Sequence, residues 1–164
     1  MNKYFKISFY RYCHPIIIIF FVVISMSNAS AELVKPNNGI EPSLVVEIQL
    51  RSLKQNDSPK KDNGIEQTWE FAHPNNQKNT GPLKQFKTMI KGKSYKMLLN
   101  HLDNKVVKIE SSDLTALFEV TVLSKDKLYY KFNWQVEKYT KDGPLKDCWL
   151  TTIVSTPMSL GSSI

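Results

Sequence analysis

The sequence predicts an α+β domain, with three to four N-terminal helices packed on a curved antiparallel sheet of about four strands. Three observations carry this expectation. Apolar residues recur at the helical period of 3.6 up to about residue 101 and at the strand period of 2 beyond it. The strand-like runs then follow one another through polar turns, as in a meander. Finally, Tyr130, Phe132, Trp134 and Val136 share one strand face that must be kept from water, and only the helices can cover it.

The first helix is read over Ser43 to Lys54. Helical projection leaves Glu47, Arg51 and Lys54 on one narrow stripe and spreads Leu44, Val45, Val46, Ile48, Leu50 and Leu53 around the rest, so the helix should be largely enclosed. A polar connection, QNDSPKKDNG, follows, with Asp62 placed to cap a second helix. In that helix Ile65, Thr68, Trp69 and Ala72 fall on one side with Phe71 beside them, while Glu66, Gln67 and Glu70 face outward. Pro74 ends it, because the residue before a proline is pushed out of helical space, and His73 sits at the helix end. Asn75, Asn76, Gln77 and Asn79 read as a turn or loop, and Thr80 with Pro82 as the start of the next helix. Leu83, Phe86, Met89 and Ile90 form its apolar stripe, flanked by Lys84, Lys87 and Lys91; Lys93 and Lys96 extend this basic run around Tyr95. A short helical piece, SYKMLLNH, closes the first half near His101.

The strands are KVVKIE, TALFEVTVL, LYYKFNWQVEK and CWLTTIV, joined in the middle by a hairpin turn at SKDK and later by the longer turn KDGPLKD. Residues 42–156 thus make a single α+β domain, preceded by a flexible lead-in at 32–41 and followed by a tail, 157–164, expected to fray.

Residues 1–31 read as a secretory signal peptide. Lys3, Lys6 and Arg11 supply a basic start, Ile16 to Met26 an apolar run, and Ala29-Ser30-Ala31 a small-residue cleavage site. A membrane anchor is the competing reading, but that run is well short of the roughly 20 apolar residues that span a bilayer. The expected destination is therefore the periplasm or the extracellular space, with no membrane span after cleavage. Cleavage would leave 133 of the 164 residues, enough for one domain. It would also lower the formal charge from +7 to +4 and leave Arg51 as the one arginine. So mild a basic excess does not suggest a nucleic-acid partner.

Catalytic chemistry finds few donors. Beyond residue 31 the metal-ligating candidates other than carboxylates are His73, His101 and Cys148, without C-x-x-C or H-E-x-x-H spacing, so neither a metal nor a cofactor is expected. Cys148 reads as a small buried hydrophobe, and as the lone cysteine of the processed chain it has no intramolecular disulfide partner. General acid or base chemistry needs only one group in an apolar cavity, and His101 and Asp113 are the candidates. A histidine at a helix end can equally serve nearby carbonyls. Tyr95, Tyr130 and Trp134 are candidate ligand contacts, although large aromatics at these spacings also serve as core.

The run from Leu50 to Pro82, with LKQFKTMI, YKMLLNH and GPLKDCWLT after it, resembles an uncharacterised bacterial and plastid domain family. The matching positions are Asn56-Asp57, Gly64-Ile65, Trp69, Phe71-Ala72, Pro74, Asn76, Thr80-Gly81-Pro82, Phe86, Met89, Tyr95, Leu98-Leu99, His101 and Cys148-Trp149. His73 departs from the small hydroxyl residue that the family pattern places before Pro74. The family is similar to the nuclear-transport-factor-2-like superfamily of cone-shaped α+β folds, which holds isomerases, dehydratases, hydrolases, ligand binders and dimerisation modules. Such a resemblance implies a fold without choosing a function, and it brings no established catalytic residues.

Two functional readings follow. The first is a non-catalytic exported module for a small apolar or amphipathic ligand or a protein partner, with a homodimer through the sheet as one arrangement. The alternative is a small envelope enzyme of the isomerase, dehydratase or hydrolase kind, with His101 or Asp113 as general base. In both, Gly64 to Pro82 is a structural clasp. Trp69 and Phe71 anchor one helix, Pro74 ends it, Thr80-Gly81-Pro82 starts the next, and Cys148 and Trp149 pack in the core. Trp69→Ala is then expected to cost about 3 to 5 kcal/mol.

Overall fold

A computed structural model describes residues 32–162 of the chain; the signal reading of residues 1–31 lies outside them. Helices α1 (Pro42–Lys54), α2 (Asn63–Glu70), α3 (Pro74–Thr80) and α4 (Leu83–Lys91) and a single 3-10 turn (Lys96–Leu98) lead into five strands. These are β1 (Asp103–Ser111), β2 (Thr115–Leu123), β3 (Leu128–Lys138), β4 (Trp149–Val154) and β5 (Met158–Ser162). All pairings are antiparallel, in the order β1-β2-β3-β4, with β5 also on β3.

The period-2 reading holds closely where both neighbours are strands. On β2, Ala116, Phe118, Val120 and Val122 are buried, and on β3 so are Phe132, Trp134 and Val136. Register pairs Phe118 with Trp134 and Val120 with Phe132, so these side chains stack on one face. Helix α1 lies among the core residues, burying Val45, Val46, Ile48, Leu50 and Leu53 and leaving Glu47 and Arg51 exposed as expected, but Leu44, expected inside, sits in the first turn with 41% of its surface exposed.

Several expectations need correction. The asparagine-rich stretch after Pro74 is a helix, not a loop. Pro74 occupies the first turn of α3, where its missing N–H costs nothing, and His73 caps it by accepting from the Asn75 amide at 3.1 Å through Nδ1. Thr80 ends α3 instead of opening the next helix. Gly81 follows it with φ of 78°, a conformation that favours glycine. Asp62 does hold the cap position of α2, but its carboxylate makes no cap bond and accepts from Lys91 at 2.7 Å. Gln67, expected outside, is buried and exchanges two hydrogen bonds with the Val34 backbone, which holds the lead-in against α2.

The chain between α2 and α3 is fixed to the sheet by main-chain bonds. Thr151 N donates to Phe71 O at 2.7 Å and His73 N donates to Thr151 O at 2.8 Å, a parallel bridge centred on Ala72. On the other side α2 packs so closely on α1 that a Cβ on Gly64 would lie 2.1 Å from the Ser52 carbonyl oxygen. Only glycine fits there without moving a helix.

A fifth strand replaces most of the expected frayed tail. β2 takes one edge of β3 for nearly its whole length, and the other edge is shared. β4 covers residues 134–138 and β5 covers 128–131. Ser155 bridges the gap, its N–H donating to Asn133 O and its hydroxyl accepting from Asn133 N, both at 2.9 Å. No helix among the described residues is long and apolar enough to cross a membrane.

Candidate functional site

Where the clasp meets the sheet, the helices and strands leave a pocket of about 80 Å³. Helix α1 contributes Gln49 and Leu53, α2 Thr68, the clasp Ala72, Asn76 and Thr80, and α4 Phe86, Met89 and Ile90. Tyr95, Leu98, Trp134, Thr151 and Val154 complete the lining.

Its polar floor is a closed network. Gln49 Oε1 accepts from the Thr151 hydroxyl at 2.6 Å and from the Trp134 indole N–H at 3.2 Å, and Gln49 Nε2 donates to Thr68 O at 3.0 Å. The same indole N–H also lies 3.2 Å from Thr151 Oγ1. Thr68 in turn donates to Gly64 O at 2.8 Å. Gln49, Thr68, Trp134 and Thr151 are all buried, so each bond replaces one that water would otherwise make. At the rim, Asn76 Nδ2 donates to Thr151 O at 3.3 Å, Thr80 Oγ1 to Asn76 O at 2.9 Å, and Tyr95 OH to Val154 O at 3.2 Å.

Among the residues singled out from sequence, Tyr95, Trp134 and Thr80 line this pocket and His101 and Asp113 do not. His101 is 2% exposed. Its Nδ1 lies 2.7 Å from Leu98 O, which can only accept, so Nδ1 carries the proton; Nε2 then accepts from Asn104 Nδ2 at 2.9 Å. Burial pushes its pKa below the ordinary 6.5, against the raising effect of the Leu98 bond, with Lys54 adding to the fall and Asp103 opposing it. The imidazole is a neutral strut behind Leu98, a pocket wall, with both nitrogens engaged. Asp113 is exposed in the turn between β1 and β2.

Tyr130 lies outside the pocket, half-buried near the end of the sheet. Cys148 is buried, its thiol pushed up by burial and then by Asp147. Trp149 is 8% exposed beneath the Lys138 ammonium, which sits 5.1 Å from the ring centroid. Phe71 is fully buried, whereas Trp69 is half-buried and meets Phe86 at 5.0 Å between centroids. Among the described residues no three His, Cys, Asp or Glu side chains cluster as metal ligands would.

Sequence reasoning missed Gln49, Thr68 and Thr151 as the polar floor. The usable signal was Gln49 itself, an amide in the apolar circumference of an enclosed helix, where it must find a buried partner. No protein-family model, curated protein or solved structure matches the chain.

Proposed function

We propose that the chain is an exported, non-catalytic binding module whose pocket takes the apolar end of a small neutral or amphipathic ligand. One observation carries this reading: the lining is apolar with uncharged hydrogen-bonding groups, and its single titratable member, Tyr95, has its hydroxyl tied to Val154 O. Among the described residues no carboxylate, imidazole, amine or thiol lines it, so those residues supply neither a general base nor a charge to attract an ion. The volume sets the scale of the guest. Whole drug-sized ligands occupy roughly 300 to 1,000 Å³ and an engineered cavity of about 150 Å³ takes benzene, so 80 Å³ suits a short alkyl group. Export and a cone-shaped fold belong to the same proposal, on the pattern of residues 1–31 and the motifs of the clasp.

The test is a titration with isobutanol, followed by the indole N–H resonance of Trp134 and the methyl resonance of Met89. Saturable shifts are expected, and Ala72→Val, which narrows the pocket, should abolish them. Turnover of ester or amide substrates that disappears in Tyr95→Phe would replace this reading with the enzymatic one.

A further inference from the structure

We propose a second ligand site, independent of the first, between the 3-10 turn and the β2–β3 turn, which takes an organic anion with an apolar body such as a medium-chain carboxylate. The concavity there measures about 310 Å³, larger than the first pocket. The 3-10 turn and its flanks are the partition between the two. Tyr95 and Leu98 line the first, and Lys96, Met97 and Leu99 line the second.

The apolar wall exists because the helical cover stops short of the sheet. Along the inner face of β3, Trp134 and Phe132 are each 1% exposed, but Tyr130, the next residue on that face, is only half-buried. Met97 and Leu99, also half-buried, lie with it around the concavity. The Tyr130 hydroxyl has no hydrogen-bond partner among the described residues and is free to donate to a ligand.

Charge sets the class of guest. Lys96 and Lys125 line the concavity and neither has an ion-pair partner among the described residues. Asp126 is the one acid in the lining, against two lysines. Elsewhere on the same basic run, Lys87 and Lys91 each close on a carboxylate at 2.7 Å. Two unpaired ammonium groups beside an apolar wall and a spare phenol complement a carboxylate head on a hydrocarbon body. A neutral or cationic analogue forfeits the charged contacts.

Methionine methyl spectra of the purified full chain test this directly, because Met97 reports the second site and Met89 the first. With sodium octanoate, the Met97 resonance should shift saturably, whether or not the first pocket admits the chain end and moves Met89, with weaker binding at high salt. Octylammonium should leave Met97 unmoved. Lys96→Gln combined with Lys125→Gln should weaken octanoate binding about two- to thirtyfold, the range for two exposed charge contacts. The proposal is overturned if 1-octanol shifts Met97 as strongly as octanoate, if the double variant binds octanoate unchanged, or if only Met89 moves. That last outcome would leave the first pocket's reading standing alone.

Discussion

The two ends of the helical layer handle the same lysine-rich composition in opposite ways. At the α2–α4 end, Lys60 and Lys87 both reach Glu66 at 2.7 Å and Lys91 reaches Asp62 at 2.7 Å, joining two helices and the loop before them. At the 3-10 end, Lys96 and Lys125 stand beside Met97, Leu99 and Tyr130 without such partners. A run of lysines is therefore not one feature. Its meaning depends on whether the neighbouring element supplies carboxylates, which spacing along the chain does not disclose.

The largest test of this contrast lies in the apolar anchoring of the closed end. Phe71→Ala should cost about 3 to 5 kcal/mol in urea unfolding, because the ring is fully buried. Trp69→Ala should cost less, about 2 kcal/mol, since that ring is half-buried; this revises the value expected from sequence. Equal costs would mean that the clasp hangs on Trp69 after all.

Between the two ends, Gln49→Leu should cost about 1 to 3 kcal/mol. It removes the shared acceptor of the Trp134 indole and the Thr151 hydroxyl, and the indole N–H retains only its 3.2 Å contact to Thr151 Oγ1. A shift of the Trp134 fluorescence maximum should accompany the loss.

Acid should weaken the two ends in different windows. His101 has a folded pKa below its ordinary 6.5, so its contribution is complete above pH 6.5 and is lost as pH falls through the lowered folded value. Asp62 and Glu66 are held below their ordinary 3.8 and 4.5, foremost by hydrogen bonds from Lys91 and Lys60 respectively. Their contribution is present above those ordinary values and disappears as pH falls below them. Unfolding free energy measured against pH should thus decline first below 6.5 and again below 4.5. His101→Gln should flatten the first decline and spare the second. His73, also shifted down by burial, is best replaced by Gln in both proteins compared. A first decline that survives His101→Gln would refute the strut.

The smallest effects compare the charges themselves. Glu66→Gln should cost under about 1 kcal/mol, and Lys96→Gln almost nothing, because only the former removes ion pairs. A Lys96→Gln loss as large as that of Glu66→Gln would erase the distinction between the ends.

Much of the frame was legible because it rests on local periodicity. The alternation of β2 and β3 and, apart from Leu44, the enclosed circumference of α1 could be read directly, since a two- or 3.6-residue repeat reports which face is buried. Helix α3 was not legible. Its asparagines are weak helix formers, and the segment is held by bonds from distant residues, Thr151 O accepting both from the His73 amide and from Asn76 Nδ2. β5 escaped notice for a similar reason: MSLGS has little strand character, and it is the open edge of β3 that makes it one. The pocket floor joins Gln49 to residues 85 and 102 positions away, a distance over which residue type says nothing of partnership. His101 could be singled out by type, but not the two bonds that occupy it.

The divided edge of β3 makes the sheet unequal under local opening. All five residues of β5 are exposed, so little besides its main-chain ladder to β3 holds it, whereas β2 carries a buried side chain at every second position. Amide protons at 158–162 should therefore exchange with solvent deuterium through peeling of one strand, orders of magnitude faster than those of β2, which must await unfolding of the whole domain. Each such event bares the backbone of Leu128 to Lys131, including Tyr130. A ligand resting on Tyr130 should slow that peeling, so deuterium uptake at 158–162 should report occupancy of a site that β5 meets only through its pairing with Tyr130.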